Sequence, residues 1–159
     1  MNLSDEVIIP IPRQKVWEGL NDPEVLKQCI PGCEEIIKHS DTEMEARVTI
    51  KMGPVKATFK GAVTLSELDP PNSYRISGEG KSMMGGATGG ANVKLEDVPE
   101  GTRLSYDVDA QVTGKIASLA QRFIEPTARQ LSGKFFETFA EVVSGAPRDE
   151  GKKAKKKKT

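Results

Sequence analysis

The stretch that decides the fold is EMEARVTIKMGPVKATFKGAVTL, residues 43–65, in which apolar and polar side chains alternate along two runs. Apolar residues occupy the even positions from Met44 to Met52. Apolar or small residues occupy the odd positions from Val55 to Leu65, and Gly53 with Pro54 separates the runs. A period of two places one face of a strand in the core and the other in water, and a Gly-Pro pair favours a turn. We therefore predict two long, half-buried antiparallel strands.

The same alternation continues on both sides of this stretch. It recurs at residues 74–81, 85–96 and 103–112, and a short apolar run at residues 7–9 indicates a first strand. Pro70 and Pro71 provide the break before the first of these runs. The sequence thus predicts about six strands in an antiparallel sheet.

Helical spacing appears at both ends of the chain. It predicts short helices at residues 13–20 and 24–28, the second capped by Asn21 or Asp22. Apolar residues also recur every three or four positions through residues 115–144, which predicts one long helix kinked at Pro126 and stopped at Gly145. The expected class is α+β, with the long helix packed against the sheet.

Composition limits the domain organisation and the class of protein. The chain has 159 residues, of which 36% are hydrophobic and 29% are charged, as is typical of one soluble domain. We assign residues 1–146 to that domain and residues 147–159 to a disordered basic tail. No apolar run is long enough to cross a bilayer, and MNLSDEVIIPIPRQ lacks the pattern of a secretion signal, so we expect a cytoplasmic protein.

The glycines of SMMGGATGGANVKL, residues 82–95, allow two interpretations. A phosphate-binding loop is excluded, because Gly86 stands where that motif needs lysine. The segment instead alternates like a strand whose inner face begins with small residues opposite Gly78 and Gly80. We predict that the missing bulk leaves a ligand cavity under the long helix, with Met83 and Met84 as its rim. Alternatively, the glycines only bend the sheet.

Side chains for catalysis or metal binding are sparse. His39 is the single histidine and stands at an expected turn. Together with Cys29 and Cys33 it does not complete a metal-binding pattern, and no serine or cysteine has a matched base. We therefore predict no catalytic residue, no metal and no cofactor, and expect a binding protein rather than an enzyme.

Several spaced phrases resemble one known family. They are IPGCEEI at residues 30–36, KMGPVKATFKGAVTLSELDPP at 51–71, GGATGGANVKL at 85–95, and TRLSY followed by VTGKIA between 102 and 117. These phrases, spread over about residues 1–145, resemble the family of the G subunit of carbon monoxide dehydrogenase, in the START-like, birch-pollen-allergen-like superfamily. The resemblance implies a helix-grip fold, with a curved antiparallel sheet of six to seven strands around the C-terminal helix and two short helices after the first strand.

The resemblance also implies a site and a role. It implies an apolar cavity that holds a quinone or a lipid, and an association with a molybdenum-containing dehydrogenase and its membrane attachment. Cyclase-like and hydrolase-like members of the superfamily keep an enzyme as the alternative, and a pure assembly subunit with a filled core is another. By position, the cavity wall would consist of Phe59, Val63, Ile76, Gly89, Ala91, Tyr106, Val108, Ile116, Leu119, Ala120 and Phe123.

The C-terminal tail carries its own signal. Residues 148–159 hold seven basic and two acidic side chains, which leaves 16 basic and 21 acidic side chains in the rest. Such a block is attracted to anionic lipid surfaces, so we predict peripheral binding to the inner face of the membrane. Specific nucleic-acid binding is not expected, because no aromatic residue is interleaved for base stacking; an inert, solvated tail is the alternative. The membrane-binding residues would be Lys152, Lys153, Lys155, Lys156, Lys157 and Lys158.

Overall fold

The structure, a computed structural model, describes residues 2–145. The predicted tail and its six lysines lie outside the described residues. The elements follow in the order β1 (Asn2–Ile9), α1 (Arg13–Leu20), α2 (Pro23–Cys29), β2 (Cys33–Lys38), β3 (Glu43–Met52), β4 (Val55–Asp69), β5 (Ser73–Ser82), β6 (Gly85–Val98), β7 (Gly101–Val112), α3 (Lys115–Leu119) and α4 (Gln121–Ser144).

The seven strands form one antiparallel sheet in the order β1-β7-β6-β5-β4-β3-β2. Strands β2 to β7 are consecutive hairpin neighbours, while α1 and α2 carry the chain from β1 at one edge to β2 at the other. The long helix α4 packs on α2 and, within the sheet, approaches β1 and β3 most extensively. The predicted α+β class, with a sheet packed against a long C-terminal helix, is confirmed.

The strands predicted from alternation are all present, but the sequence patterns missed part of the sheet. Strand β1 begins at Asn2 rather than at residue 7, and β2 had no predicted counterpart. Strand β2 contains a register shift between Cys33 and Glu35, which breaks the two-residue period. As a result Ile36 faces the core while Ile37 is 44% exposed, and two adjacent isoleucines do not resemble a half-buried strand.

The C-terminal helical segment is divided at a different place from the predicted kink. A break at Ala120 separates α3 from α4, and α4 continues through Pro126. Pro126 is tolerated near the start of α4, since it removes only the bond to the Arg122 carbonyl. The break follows from docking, because the Ile116 amide donates to the Met84 carbonyl at 2.9 Å and both Ile116 and Ala120 are fully buried.

The short helices and the helix ends follow the predicted signals. Helix α1 spans the predicted residues, and the Asp22 side chain caps α2 by accepting from the Glu24 amide at 2.9 Å. Gly145 ends α4 with a left-handed conformation, φ 74°, which glycine adopts without steric cost. Asp22 is thus the cap of α2, and Gly145 the predicted stop.

The buried core consists of two separate clusters on the inner face of the sheet. The first lies under α1, α2 and the C-terminal half of α4, and the second lies where α3 meets the β3–β4 turn. The buried residues of the first cluster are Leu3, Ile9, Val16, Trp17, Leu20, Leu26, Cys29, Met44, Leu65, Tyr74, Val93, Leu95, Leu104, Tyr106, Phe136 and Phe139. Those of the second cluster are Met52, Val55, Ala57, Phe59, Ile116 and Ala120.

Candidate functional site

A belt of small residues crosses the inner face of the sheet between the two core clusters. Its residues form two adjacent cross-strand rows, because each one pairs with the next across neighbouring strands. None belongs to the buried part of either cluster, and all are half-buried. The first row is Ala46, Gly61, Gly80 and Ala87, and the second is Gly78, Gly89 and Ala110.

The contacts that an added Cβ would make differ between the belt glycines. A Cβ at Gly61 would overlap the Glu79 carbonyl oxygen, so the close approach of β4 and β5 there requires glycine. A Cβ at Gly78 would instead meet only ordinary contacts, the nearest atom being the Ala62 carbonyl oxygen at 3.5 Å. Gly61 is therefore required for the close approach of two strands, while Gly78 leaves room for a side chain.

Helix α4 does not fill the space over the belt with buried side chains. Its two buried residues, Phe136 and Phe139, lie in its C-terminal half and belong to the first cluster. The N-terminal half has no fully buried side chain; Ile124 packs at the edge of the second cluster and Ala128 at the edge of the first. The half-buried side chains of this half that we assign to the side facing the sheet are Ile124, Thr127, Ala128 and Leu131. We call the space between them and the belt the groove.

A cleft beside the groove reaches the surface between α4 and β3. Its volume is about 630 Å³, and both apolar and cationic side chains line it. Ile50, Phe123 and Leu131 contribute apolar surface, while Lys51 and Lys134 are the lining residues with ionisable side chains. Phe123 lies directly over Gly53, where a Cβ would be 2.5 Å from its ring. The cleft gives the underside of α4 an opening to solvent.

Two buried tyrosines of the first core cluster carry hydroxyl groups. Tyr74 is 4% exposed and packs edge-to-face on Trp17 at a centroid distance of 5.4 Å, while Tyr106 is 6% exposed and stacks on Phe136 at 4.1 Å. Burial raises the pKa of Tyr74 well above its usual value of 10.0, so its hydroxyl stays protonated. Burial also raises the pKa of Tyr106, and the Asp5 carboxylate adds to this effect. Within residues 2–145, neither hydroxyl has a hydrogen-bond partner.

The residues predicted for the cavity wall fall into three groups. Val63, Ile76, Gly89, Ala91 and Val108 are half-buried on the inner face, in or beside the belt. Phe59, Tyr106, Ile116, Ala120 and Phe123 pack into the core clusters that bound the groove, the first four of them buried.

The remaining predicted residues lie at one end of the molecule. Met84 packs against the second cluster, whereas Met83 is 103% exposed and Leu119 is 57% exposed. Leu119 therefore lies on the solvent side of α3 rather than over the sheet, since the one buried side of this short helix is used by Ile116. Met83 extends from the β5–β6 turn and contributes no wall.

Several groove residues were absent from the predicted wall. Ala46, Gly61, Ala110, Ala128 and Leu131 lie in the belt or face it from α4. The alternation of β3, β4 and β7 and the helical spacing of residues 115–144 already placed four of these on inner faces, so the signal was present. Ala128 is the exception, because it falls beside the apolar stripe rather than in it.

Two concavities on the outer face of the sheet are poor sites for an apolar molecule. One of about 880 Å³ is lined by charged side chains that include Asp69, Lys94 and Asp107. Another of about 530 Å³ lies around Arg75, which donates to Asp109 and to Asn92 at 3.1 Å each. An apolar ligand would have to desolvate these charges, which is costly, so the groove is the better candidate.

Neither a membrane-spanning helix nor a metal-binding cluster is found among the described residues. No helix within residues 2–145 is long and apolar enough to cross a bilayer. In the same residues, no three His, Cys, Asp or Glu side chains are grouped so that they could hold a metal ion. Cys29 is buried and Cys33 is half-buried, and burial raises the pKa of the Cys33 thiol.

The seven-stranded sheet, the long C-terminal helix and the groove between them define a START-like, helix-grip protein. Solved structures with this fold support the class. A conserved protein from Geobacillus kaustophilus has a TM-score of 0.83 at 24% identity, over 92% of this chain and 97% of that chain. An aromatase/cyclase, Zhui, from Streptomyces sp. R1128 has a TM-score of 0.66 at 15% identity, over 95% and 98%. Protein TTHA0849 from Thermus thermophilus has a TM-score of 0.68 at 14% identity, over 93% and 100%.

The family is narrower than this class. The family model for CoxG, the G subunit of carbon monoxide dehydrogenase, matches residues 6–144, and the chain belongs to that family. A search of curated protein sequences found no significant match. Family and fold together point to a ligand-binding or carrier role.

Proposed function

We propose that the protein is a non-enzymatic carrier that holds an apolar small molecule in the groove. The observation that carries this proposal is the gap between the two core clusters, where half-buried small residues face the half-buried underside of α4. Well-packed interiors leave few such gaps, and burial of apolar surface there would contribute about 25 cal/mol per Å². The side chains that we assign to the ligand are Val63, Ile76, Gly78, Gly89, Ala91, Val108, Ala128 and Leu131.

The two buried tyrosines suggest that the ligand carries a polar atom at one end. A buried hydroxyl without a partner costs about 1–3 kcal/mol, and a ligand oxygen would remove that cost at Tyr74 or Tyr106. A quinone carbonyl or a lipid ester oxygen, attached to a long apolar group, has this combination. A quinone or a lipid is therefore the ligand class that we propose.

The family name suggests where such a carrier works. CoxG is described as a subunit of carbon monoxide dehydrogenase, so we propose a molybdenum-containing enzyme of this type as the protein partner. The basic residues after position 148 favour an anionic membrane surface, and we propose a peripheral location at the inner face of the membrane. Removal of residues 148–159 is expected to weaken binding to vesicles that contain anionic lipid; unchanged binding would exclude the tail.

An enzyme of the cyclase kind is the alternative, because aromatase/cyclases share the fold. Such an enzyme needs acid or base groups that reach its substrate. Within residues 2–145, the belt and Ile124, Thr127, Ala128 and Leu131 of α4 carry no ionisable group, and burial raises the pKa of the two tyrosines that we propose reach the ligand. This arrangement favours binding over catalysis.

The experiment that tests the carrier is native mass spectrometry after gentle purification, followed by solvent extraction. We expect a mass increment that disappears on extraction, with an isoprenoid quinone or a lipid in the extract. A protein that carries nothing, and that also fails to bind a quinone with a short alkyl chain, would contradict the carrier. A co-purified molecule that emerges chemically changed after incubation would favour the enzyme.

A further inference from the structure

The charges of this protein are separated between the two ends of the sheet. Residues 46–66, 80–95 and 110–124 contain eight lysine or arginine residues and no aspartate or glutamate. Antiparallel pairing brings the turns of these segments to one end, where β3, β5 and β7 finish and β4 and β6 begin. We call this end the cationic end.

Direct contacts join the three segments there. The Ile116 amide donates to the Met84 carbonyl, the Phe123 ring covers Gly53, and all three segments contribute to the second core cluster. The cationic end is therefore one surface. Its exposed cations are Lys51, Lys56, Lys60, Lys81, Lys115 and Arg122.

The arrangement of these lysines is unfavourable for the protein alone. Lys51 lies directly opposite Lys56 across β3 and β4, and Lys60 lies directly opposite Lys81 across β4 and β5. Like charges in directly opposed positions destabilise a sheet. Within residues 2–145 none of the six cations is ion-paired with a carboxylate, although Glu34 attracts Lys56 at longer range. An external anionic surface would offset this repulsion.

The two most exposed large apolar side chains of the described residues extend from the same end. Met83 is 103% exposed in the β5–β6 turn, and Leu119 is 57% exposed one helical turn beyond Ile116. Lys81 and Lys115 flank them along the chain. Apolar side chains among cations match the boundary of an anionic bilayer, where apolar groups enter the acyl region and cations meet the headgroups.

The opposite end has the opposite charge. The ends of β4 and β6 and the turns that follow them carry Glu67, Asp69, Asp97 and Glu100. Gly145 also lies near that end, since Val143 reaches Gly19 of α1. The molecule thus has a charge dipole that orients it on an anionic surface. The lysines after Gly145 lie outside the described residues, and removal of residues 148–159 separates their attraction from that of the cationic end.

We propose that the cationic end is a docking surface for an anionic lipid bilayer, with Met83 and Leu119 inserted among the lipids. The cleft beside α4 is lined by Lys51, Gly53 and Phe123 of the same end, so docking brings the cleft close to the membrane. The docking surface would bring the carrier to the membrane, and only this purpose rests on the proposed carrier function. The charges and exposed side chains that define the surface are independent of the groove.

The test is co-sedimentation of the full chain with vesicles of phosphatidylcholine alone or mixed with phosphatidylglycerol. We expect binding only to the mixed vesicles. Met83→Ser with Leu119→Ser should weaken it about tenfold or more, because two partly inserted side chains are lost. Ile8→Ser with Ile37→Ser is the matched control, since these side chains are 43% and 44% exposed and lie away from the cationic end. The control should bind as the wild type does.

Charge variants separate position from net charge. Lys81→Gln with Lys115→Gln should weaken binding about 25-fold, at about fivefold for each lysine. Lys15→Gln with Lys27→Gln, on α1 and α2, changes the net charge equally and should have a smaller effect. Equal losses in both pairs would overturn the proposal, because net charge alone would then explain the binding.

Insertion has its own readout. Trp17 is 9% exposed in the first cluster, so Leu119→Trp adds a second tryptophan that brominated lipids should quench while Trp17 stays bright. An unquenched Trp at position 119 would overturn the proposal. Loss of vesicle binding in the lysine pair, together with unchanged binding in the serine pair, would also overturn the proposal. In that case Met83 and Leu119 are not inserted, and the cations would fit an acidic protein partner instead. Uptake of a quinone from solution should be the same in these variants as in the wild type. Failure of the wild type itself to take up the quinone would refute the carrier and leave the docking surface standing.

Discussion

Gly78 is the position where filling the groove can be separated from damaging the fold. Gly78 lies in the belt with ordinary contacts around a Cβ, and its backbone does not need a positive φ. Gly78→Leu therefore places a branched side chain in the groove. Gly61→Leu, one strand away, would force the side chain into the Glu79 carbonyl, and Gly133→Leu adds the same atoms to α4 where no atom lies within 4 Å.

The size of the effect follows from what the new side chain contacts. Each buried methylene is worth about 0.8 kcal/mol, so four carbons in a half-buried groove should raise the free energy of unfolding by about 1–2 kcal/mol. The loss of a flexible strand glycine adds to this gain. In a filled core the same change would cost about 1–3 kcal/mol through overpacking. Gly61→Leu should lose about 3 kcal/mol or more, and Gly133→Leu should gain about 1 kcal/mol from helix propensity.

Urea denaturation and binding of N-phenyl-1-naphthylamine, an uncharged fluorescent probe, measure the two effects. We expect Gly78→Leu to be at least as stable as the wild type and to bind the probe about tenfold more weakly or worse, since the side chain occupies the ligand volume. Gly133→Leu should bind it normally. Reduced stability of Gly78→Leu together with normal probe binding would refute the groove.

Three further predictions concern side chains that bound the groove. Tyr74→Phe should leave stability unchanged or raise it, because the buried hydroxyl has no partner among the described residues. The same variant should bind a quinone about fivefold more weakly. An unchanged affinity would show that this hydroxyl does not hold the ligand. The raised pKa of Tyr74 means that the folded state holds the hydroxyl proton more tightly than the unfolded state. The free energy of unfolding should therefore fall as the pH rises above the usual tyrosine pKa of 10.0. Tyr74→Phe should flatten that fall in alkaline urea titrations, and an identical slope of stability against pH would contradict the burial argument. Phe139→Ala should cost about 3–5 kcal/mol in thermal or urea unfolding, because Phe139 is fully buried against Phe135 at 6.0 Å, whereas Met83→Ala should cost less than about 0.5 kcal/mol.

The strands were predictable because alternation is a local property of the chain. Met44 to Met52 and Val55 to Leu65 needed no partner to show which face is apolar, and the observed strands cover both runs. Strand β2 was not predictable in this way, since the register shift after Cys33 destroys the alternation. The break at Ala120 was hidden too, because it depends on a hydrogen bond between Ile116 and Met84, 32 positions apart in the chain.

The candidate site was only partly predictable for a related reason. The sequence identified Gly78, Gly80 and Gly89 as small inner-face residues opposite one another, and the pairing of β5 with β6 agrees. Whether side chains of α4 fill the space depends on where the helix crosses the sheet. Phe136 and Phe139 contact the sheet only toward one of its ends. Leu119 shows the limit, since helical spacing alone could not tell the solvent side of the short helix α3 from the sheet side.

The sequence by itself determined the strands, the inner and outer faces and the small residues between them, because backbone periodicity and side-chain volume are properties of adjacent positions. Only the tertiary structure decided that the bulky residues form two clusters with a groove between them. It also decided that three acid-free segments, distant in the chain, meet at one end of the sheet. The physical reason is that antiparallel pairing and helix docking are long-range choices, which place together residues that no local pattern connects.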